Sequence, residues 1–427
     1  MPREEPEPLN ITIPDEIWQY SLYDAHCHPT DTPSCLPKIP KMRVKGLCVM
    51  GTRFSDQVPV KELAAKEPTV IPSFGLHPWF SHYLYDDSDP TLAGLKDDMS
   101  KLKSVHYFQV LQPDPEAHFI NDLPDPVPLS EKINELRELL KATPNALVGE
   151  IGLDKSFRIP VNWSEHVPNP EYSEDPDTPA GSRGGRRLSP YRVSAEHQKK
   201  VFVAQVKLAG ELGRGVSAHS VKAHGGVWEC LRELWKGHEV RVESKRERKL
   251  REGRRGVLLP ENDEGFDFSS DEDSDEEDYG GGSKVIAKLI AQKAKAHVLD
   301  DAAALRKAKE PPKPYPPRVC LHSCSAPLVS VKQFLTPPDS THVYPSDVYF
   351  SFSTTVNSRH MGHLDDVIKA VPEDRILSES DLHKAGEEME TAVAEAVVYI
   401  CKVRGWDLKK GCEILERNWK RFVTGEE

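Results

Sequence analysis

The chain has 427 residues, 38% of them hydrophobic, 36 prolines and a net charge of −12. That length suits one large domain or two ordinary ones, and the acidic balance argues against broad electrostatic capture of nucleic acid while leaving room for a local basic groove. The eight cysteines are scattered with no CxxC pair, residues 1–8 lack the apolar core of a signal peptide, and no apolar run approaches a membrane span, so reduced thiols and a soluble cytosolic or nuclear protein are expected, with no membrane partner.

Short apolar runs recur along the chain, at 22–27, 46–51, 69–75, 146–154, 215–219, 318–322, 347–352 and 375–379. They are continuous rather than alternating, as parallel strands covered on both faces require. Helical spacing shows between them. Residues 129–143 place Ile133, Leu136, Leu139 and Leu140 on one side, and 194–212 do the same with Val201, Phe202, Gln205 and Leu208. Eight strand–helix units predict an α/β fold, a (β/α)8 TIM barrel, whose core takes about 250 residues. The barrel is expected over 22–423, after an N-terminal extension at 1–21.

Two insertions are expected to interrupt it. Residues 157–190, rich in Pro, Gly, Ser and charge, read as an irregular loop after the fourth strand. Residues 241–317 hold a basic run at 245–255, an acidic tract at 269–278, an Ala/Lys-rich helical stretch at 285–309 and a Pro-rich return. Such charge blocks cannot bury a core and are expected to be disordered. As a regulatory arm, the insertion offers a basic run for nuclear import, serines for phosphorylation and a surface for a protein partner.

His26 and His28 stand two apart at the end of the first strand, so with Asp24 they project from one side of it. Glu150, His219, His322 and Asp381 end the fourth, fifth, sixth and eighth strands. Each alone also fits a buried, hydrogen-bonded structural residue. Barrel sites lie at the C-terminal strand ends, so in this fold all six converge. Four imidazoles and two carboxylates suit two adjacent divalent ions, with Glu150 able to bridge them, and such a pair about 3.5–4 Å apart suits phosphoryl chemistry.

The chain resembles the TatD-like metal-dependent hydrolases and deoxyribonucleases of the amidohydrolase-type barrels. The resemblance lies in Asp24-Ala25-His26-Cys27-His28, Gly75-Leu76-His77-Pro78, Gly149-Glu150-Ile151-Gly152-Leu153-Asp154, the helix from Gln198 through Gln205 to Leu212, His219, His322-Ser323-Cys324-Ser325, Glu379-Ser380-Asp381 and Asn418-Trp419-Lys420-Arg421-Phe422. It implies two divalent ions (Zn, Mg or Mn). His26 and His28 would hold one and His219 and His322 the other, with Glu150 between them and Asp381 binding metal and acting as general base. Asp24, His77 and Asp154 would support these ligands from behind. The implied activity is hydrolysis of phosphodiester bonds in DNA or a small phosphoester.

Three positions depart from the family pattern: Val221 where an Arg is usual, Cys324 within the sixth-strand motif, and Leu382-His383-Lys384 after Asp381. Without that Arg fork a bidentate phosphate clamp is weakened. The altered motifs and charged insertion are similar to a fungal branch described as interacting with a subunit of the anaphase-promoting complex. Two other readings therefore stand beside the nuclease: an amidohydrolase acting on a small C–N or ester substrate, and a scaffold with a residual metal site.

Overall fold

The structure, a computed structural model, describes residues 11–161, 187–242, 312–337, 341–357 and 361–426. The chain divides into two units, Met1–Val242 with Lys313–Glu427, and Glu243–Pro312. All but the last residue of the second unit lies outside the described residues, and with it the basic run from residue 245, the acidic tract and the Ala/Lys-rich stretch.

The first unit is the expected barrel. Its strands are β1 (Tyr23–Cys27), β2 (Gly46–Met50), β3 (Val70–Phe74), β4 (Leu147–Asp154), β5 (Val216–Val221), β6 (Arg318–Leu321), β7 (Asp347–Phe352) and β8 (Ile376–Ser378). They form one eight-stranded sheet in chain order, each paired in parallel with the next. Beyond the paired strands, the Asp381 N–H donates to the His26 carbonyl at 3.0 Å and the His28 N–H to the Leu382 carbonyl at 2.8 Å. These two bonds draw the end of β8 against β1, and they carry three of the expected ligands.

Most strand residues are buried, which is why the sequence runs are continuous rather than alternating. The outer layer packs Val49, Phe74, Ile151 and Phe350 against helical residues such as Val201, Leu231 and Val393. The chief helices are α1 (Gln57–Lys66), α2 (Met99–Val110), α3 (Leu129–Ala142), α4 (Ala195–Glu211), α5 (His224–Trp235), α6 (Leu328–Leu335), α7 (Met361–Ala370), α8 (Glu387–Arg404) and α9 (Leu408–Thr424). A separate cluster of Ala25, Cys48, Leu147, Cys320, Tyr349 and Leu377 is completed by Trp419, Phe422 and Val423 of α9. The last helix therefore closes the apolar end, and the polar strand ends gather at the other.

Two places differ from expectation in detail. The loop at 157–190 has ordered ends: Ile159 and Ser189 sit in a short antiparallel ribbon, with Ile159 N–H on the Tyr191 carbonyl at 3.0 Å and Val161 N–H on the Arg187 carbonyl at 2.8 Å. Ile159, Tyr191 and Val193 pack there with Phe80, Tyr107 and Phe119. At the other insertion, Val240–Arg241 pairs with His342–Val343, so Arg241 belongs to the barrel's edge.

Candidate metal centre

All six expected ligands meet at the polar end of the barrel. Glu150 stands at the centre. Its Oε1 lies 2.7 Å from His219 Nδ1 and 2.8 Å from His322 Nε2, and its Oε2 lies 3.3 Å from His28 Nε2 and 3.4 Å from His26 Nε2. Asp381 Oδ1 is 3.5 Å from His28 Nε2 and 3.7 Å from His26 Nε2. His77, expected behind the ligands, points its Nε2 at Glu150 Oε1 from 3.2 Å. Three sets of donor atoms are compact enough to hold an ion: His26, His322 and Asp381; His26, His28 and Glu150; and His77, Glu150 and His219. Tetrahedral coordination with bonds of about 2.1 Å has edges of about 3.4 Å, close to most of these separations. The donor set is imidazole and carboxylate, which suits a divalent ion, and Cys27 turns away to pack in the outer layer.

Electrostatics follow from burial and crowding. Burial disfavours ionised Glu150, yet the imidazoles of His77, His322 and His26 outweigh it and hold the carboxyl well below its usual range. Asp381 is lowered in the same way, against burial, by His28, His322 and His26. Burial also opposes a charge on His28, but Asp381 and Glu150 prevail and push it up to about 9. His322 and His219 are raised against burial by the neighbouring carboxylates. Burial wins at His77, which falls to about 4, and His26 is lowered by burial and by His322.

Other side chains fix the orientation of these groups. The ring of His26 is tied through Nδ1 to Ser217 Oγ at 2.8 Å. Asp154 Oδ2 lies 3.3 Å from His219 Nε2 and accepts from Trp79 Nε1–H at 2.7 Å. Asp24 accepts from the His26 N–H at 3.0 Å and from the Ser380 N–H and hydroxyl at 3.0 and 2.5 Å; burial raises its carboxyl to about 7. Glu379 accepts from the Ser323 N–H and hydroxyl at 2.6 and 2.5 Å. Both Ser323 (φ 41°) and Asp381 (φ 56°) adopt the left-handed region, which costs on the order of 1 kcal/mol for a residue with a Cβ.

From α4, Gln198 and Gln205 reach back to two site-bearing segments. Gln198 accepts from the Asp154 N–H at 2.7 Å and donates to the Asp154 carbonyl at 2.9 Å. Gln205 makes the same pair with Leu76, at 2.8 and 3.1 Å, next to His77.

A cavity of about 100 Å³ opens over the cluster, lined by His28, His77, Trp79, Glu150, Asp381 and His383 among others. Its rim holds groups that the sequence reading did not assign to the site. Asp31 Oδ1 accepts from Arg53 Nη2 at 3.3 Å, and Asp31 Oδ2 faces His383 Nδ1 at 2.9 Å. The His383 ring stacks on His28, with centroids 5.0 Å apart and planes 20° apart. Glu379 was legible as part of the Glu379-Ser380-Asp381 motif. His383 belongs to the Leu382-His383-Lys384 departure, but its pairing with Asp31 and the contact of Ser217 with His26 arise only in the closed barrel. Of the departures, Val221 is half-buried at the end of β5, Cys324 is buried and Leu382 half-buried.

Comparison with known proteins agrees with this geometry. The family model described as TatD related DNase matches residues 23–245 and 291–424. Cut9-interacting protein scn1 of Schizosaccharomyces pombe is 36% identical over 404 residues, 94% of this chain and 98% of that protein. The uncharacterized deoxyribonuclease YMR262W of Saccharomyces cerevisiae is 31% identical over 231 residues, 52% of this chain and 64% of that protein. Among solved structures, YJJV, a TatD homolog from Escherichia coli, aligns over 96% of this chain and 100% of that chain, with 15% identity and a TM-score of 0.46. A family match spanning most of the chain, the parallel barrel and the clustered donors agree: the chain belongs to the TatD-related DNase family.

Proposed function

We propose that this chain is a metal-dependent phosphodiester hydrolase, a nuclease of the deoxyribonuclease type, with two divalent ions held by His26, His28, Glu150, His219, His322 and Asp381. The observation that carries the reading is the division of Glu150: one oxygen faces His26 and His28, the other His219 and His322. A carboxylate so placed keeps two imidazole sets at a fixed separation. When bound, divalent ions supply Lewis acidity toward phosphoryl oxygens and ease the deprotonation of water. Asp381, ionised at the cavity wall, accepts the proton of the attacking water as general base. Asp154 and Ser217 hold the rings of His219 and His26 in place. His77 reaches the same Glu150 oxygen and joins the second set. The imidazole-rich donors suit Zn or Mn better than Mg, which prefers oxygen ligands.

The test is hydrolysis of single-stranded DNA by the metal-loaded protein. Glu150→Ala and Asp381→Asn should each lower kcat by at least about a hundredfold with the circular dichroism spectrum unchanged, the scale on which catalytic acid–base groups act. Equal cleavage by both variants and the parent would rule out the site.

A second role draws on the fission-yeast relative, whose name describes it as Cut9-interacting and which is similar over nearly its whole length. By that likeness the chain also binds a protein partner, and the expected contact is the insertion at 241–317. The stretch between the two family-matched segments, 246–290, is the part to delete. Partner loss with hydrolysis intact would separate the two roles, and retained partner binding would place the contact on the barrel.

A further inference from the structure

A groove of about 610 Å³ lies between α5, α6 and the residues next to the ribbon of Val240–Arg241 with His342–Val343. It shares no lining residue with the cavity over the donor cluster. Its aromatic walls are held in place. The Trp228 indole N–H donates to the Gln333 carbonyl at 3.2 Å, and the Tyr344 hydroxyl to the Thr336 carbonyl at 3.0 Å. The Tyr344 ring also stacks on buried Trp235, with centroids 4.7 Å apart. Aliphatic surface adjoins these rings. Val329 lines the groove at 69% exposure, and Val240 and Val343, opposite each other in the ribbon, are 51% and 40% exposed. Apolar surface gathered in this way marks a place where a partner settles.

The charges of the groove say which partner fits. Arg232, Lys236 and Lys332 line it together with Glu233 and Glu239. Glu233 lies 3.9 Å from Lys236, and Glu239 accepts the Gly237 N–H at 2.8 Å. Arg232, seated 4.5 Å from the centre of the Trp228 ring, and Lys332 meet no carboxylate within 4.0 Å among the described residues. At physiological ionic strength the Debye length is about 8 Å, so a ligand in the groove meets these cations rather than the −12 of the whole chain.

We infer that this groove is a docking site for an acidic linear segment of a partner protein. An aliphatic or aromatic side chain of the segment fills the groove against Trp228, Tyr344 and Val329, and carboxylates on either side of it pair with Arg232 and Lys332. The inference rests neither on the metal centre nor on the insertion, and adds a surface on the barrel to the contact expected of the insertion. A single-stranded nucleic acid fits less well. Glu233 and Glu239 oppose an unbroken run of phosphates, and a sugar–phosphate chain has no aliphatic side chain to lay on Val329.

The probe is a library of random peptides displayed on phage and selected on the immobilised full-length protein, with the Kd of retained peptides measured by fluorescence anisotropy. Retained peptides should carry Asp or Glu on both sides of an aliphatic or aromatic residue, and replacing that residue by Gly should abolish binding. Arg232→Glu and Lys332→Glu change exposed side chains, so both should keep the parent's circular dichroism spectrum and metal content. Each should weaken the peptides about fivefold or more, the scale of one surface charge pair. A peptide with Lys in place of its Glu residues should bind Lys332→Glu more tightly than it binds the parent, a reversal that misfolding does not produce. Selection of neutral or basic peptides, selection of none, or affinities unchanged in both variants would overturn the inference. So would single-stranded DNA that displaces the peptides and loses affinity in the same variants, which would give the groove to nucleic acid. A dimer of the parent that Lys332→Glu dissociates would give it to a second copy of the chain and overturn the inference likewise.

Discussion

At the scale of the residue, the centre depends on how buried carboxylates and imidazoles share protons. Without metal, burial opposes every charge, and the ring of His28 still rises to about 9 because Asp381 and Glu150 face it. A divalent ion needs its nitrogen unprotonated, so binding near pH 7 must displace a proton from His28, and the carboxylates that also raise His219 and His322 act in the same direction. Metal affinity should therefore fall as pH drops below about 9, where His28 takes up its proton, with proton release visible by calorimetry in buffers of different ionisation enthalpy. Binding without proton uptake or release would contradict this. The strand-end residues were legible because they follow apolar runs, and the two-residue period put His26 and His28 on one side. Ser217 was not, because its hydrogen bond to His26 crosses the barrel from β5 to β1. His77 was found in the sequence, but its 3.2 Å approach to Glu150 follows from how the segment after β3 folds back.

At the scale of the element, α4 links fold to site. Gln205 is fully buried, and it satisfies both backbone groups of Leu76. Gln205→Leu should cost about 2–4 kcal/mol in urea unfolding, since a buried donor and acceptor lose their partners, and should weaken metal binding through His77. A loss under about 0.5 kcal/mol would mean that water or a repacked neighbour replaces the amide. The segment between β3 and α3 was the least legible. Helix α2 buries Leu102, His106, Tyr107 and Val110, so polar residues interrupt its apolar spacing. His106 of α2 and His197 of α4 bond the carbonyls of His82 and Ser81 in that segment at 2.8 and 2.9 Å. Burial lowers His82 and His106 to about 3 and His197 to about 4. Their folded pKa values lie below the unfolded value of about 6.5. The stability they contribute is thus whole above about pH 6.5 and lost as pH falls toward 4 and 3. Urea midpoints measured from pH 7 to pH 4.5 should fall, and fall less steeply in His106→Phe. An equal slope in the variant would remove these rings from the account.

At the scale of the whole molecule, the continuous apolar strands made the eightfold barrel readable, and α9 closes its apolar end with Trp419 and Phe422. The insertions were readable as interruptions, but their edges were not. Arg241 joins a ribbon whose partner strand, His342–Val343, lies about a hundred residues away, a pairing no local pattern announces. The net charge of −12 bears on function as well. It repels a polyanion over distances that salt screens, so kcat/KM on single-stranded DNA should rise between about 0.01 and 0.1 M ionic strength. A steep fall would instead indicate a basic substrate groove. The central claim, that six strand-end residues form a centre for two divalent ions, is tested most directly by metal content. Elemental analysis after dialysis against zinc or manganese should give two ions per parent chain and no more than one per Glu150→Ala chain, with the variant still folded. A folded parent chain that retains no metal, or a Glu150→Ala chain that retains two ions, would contradict it.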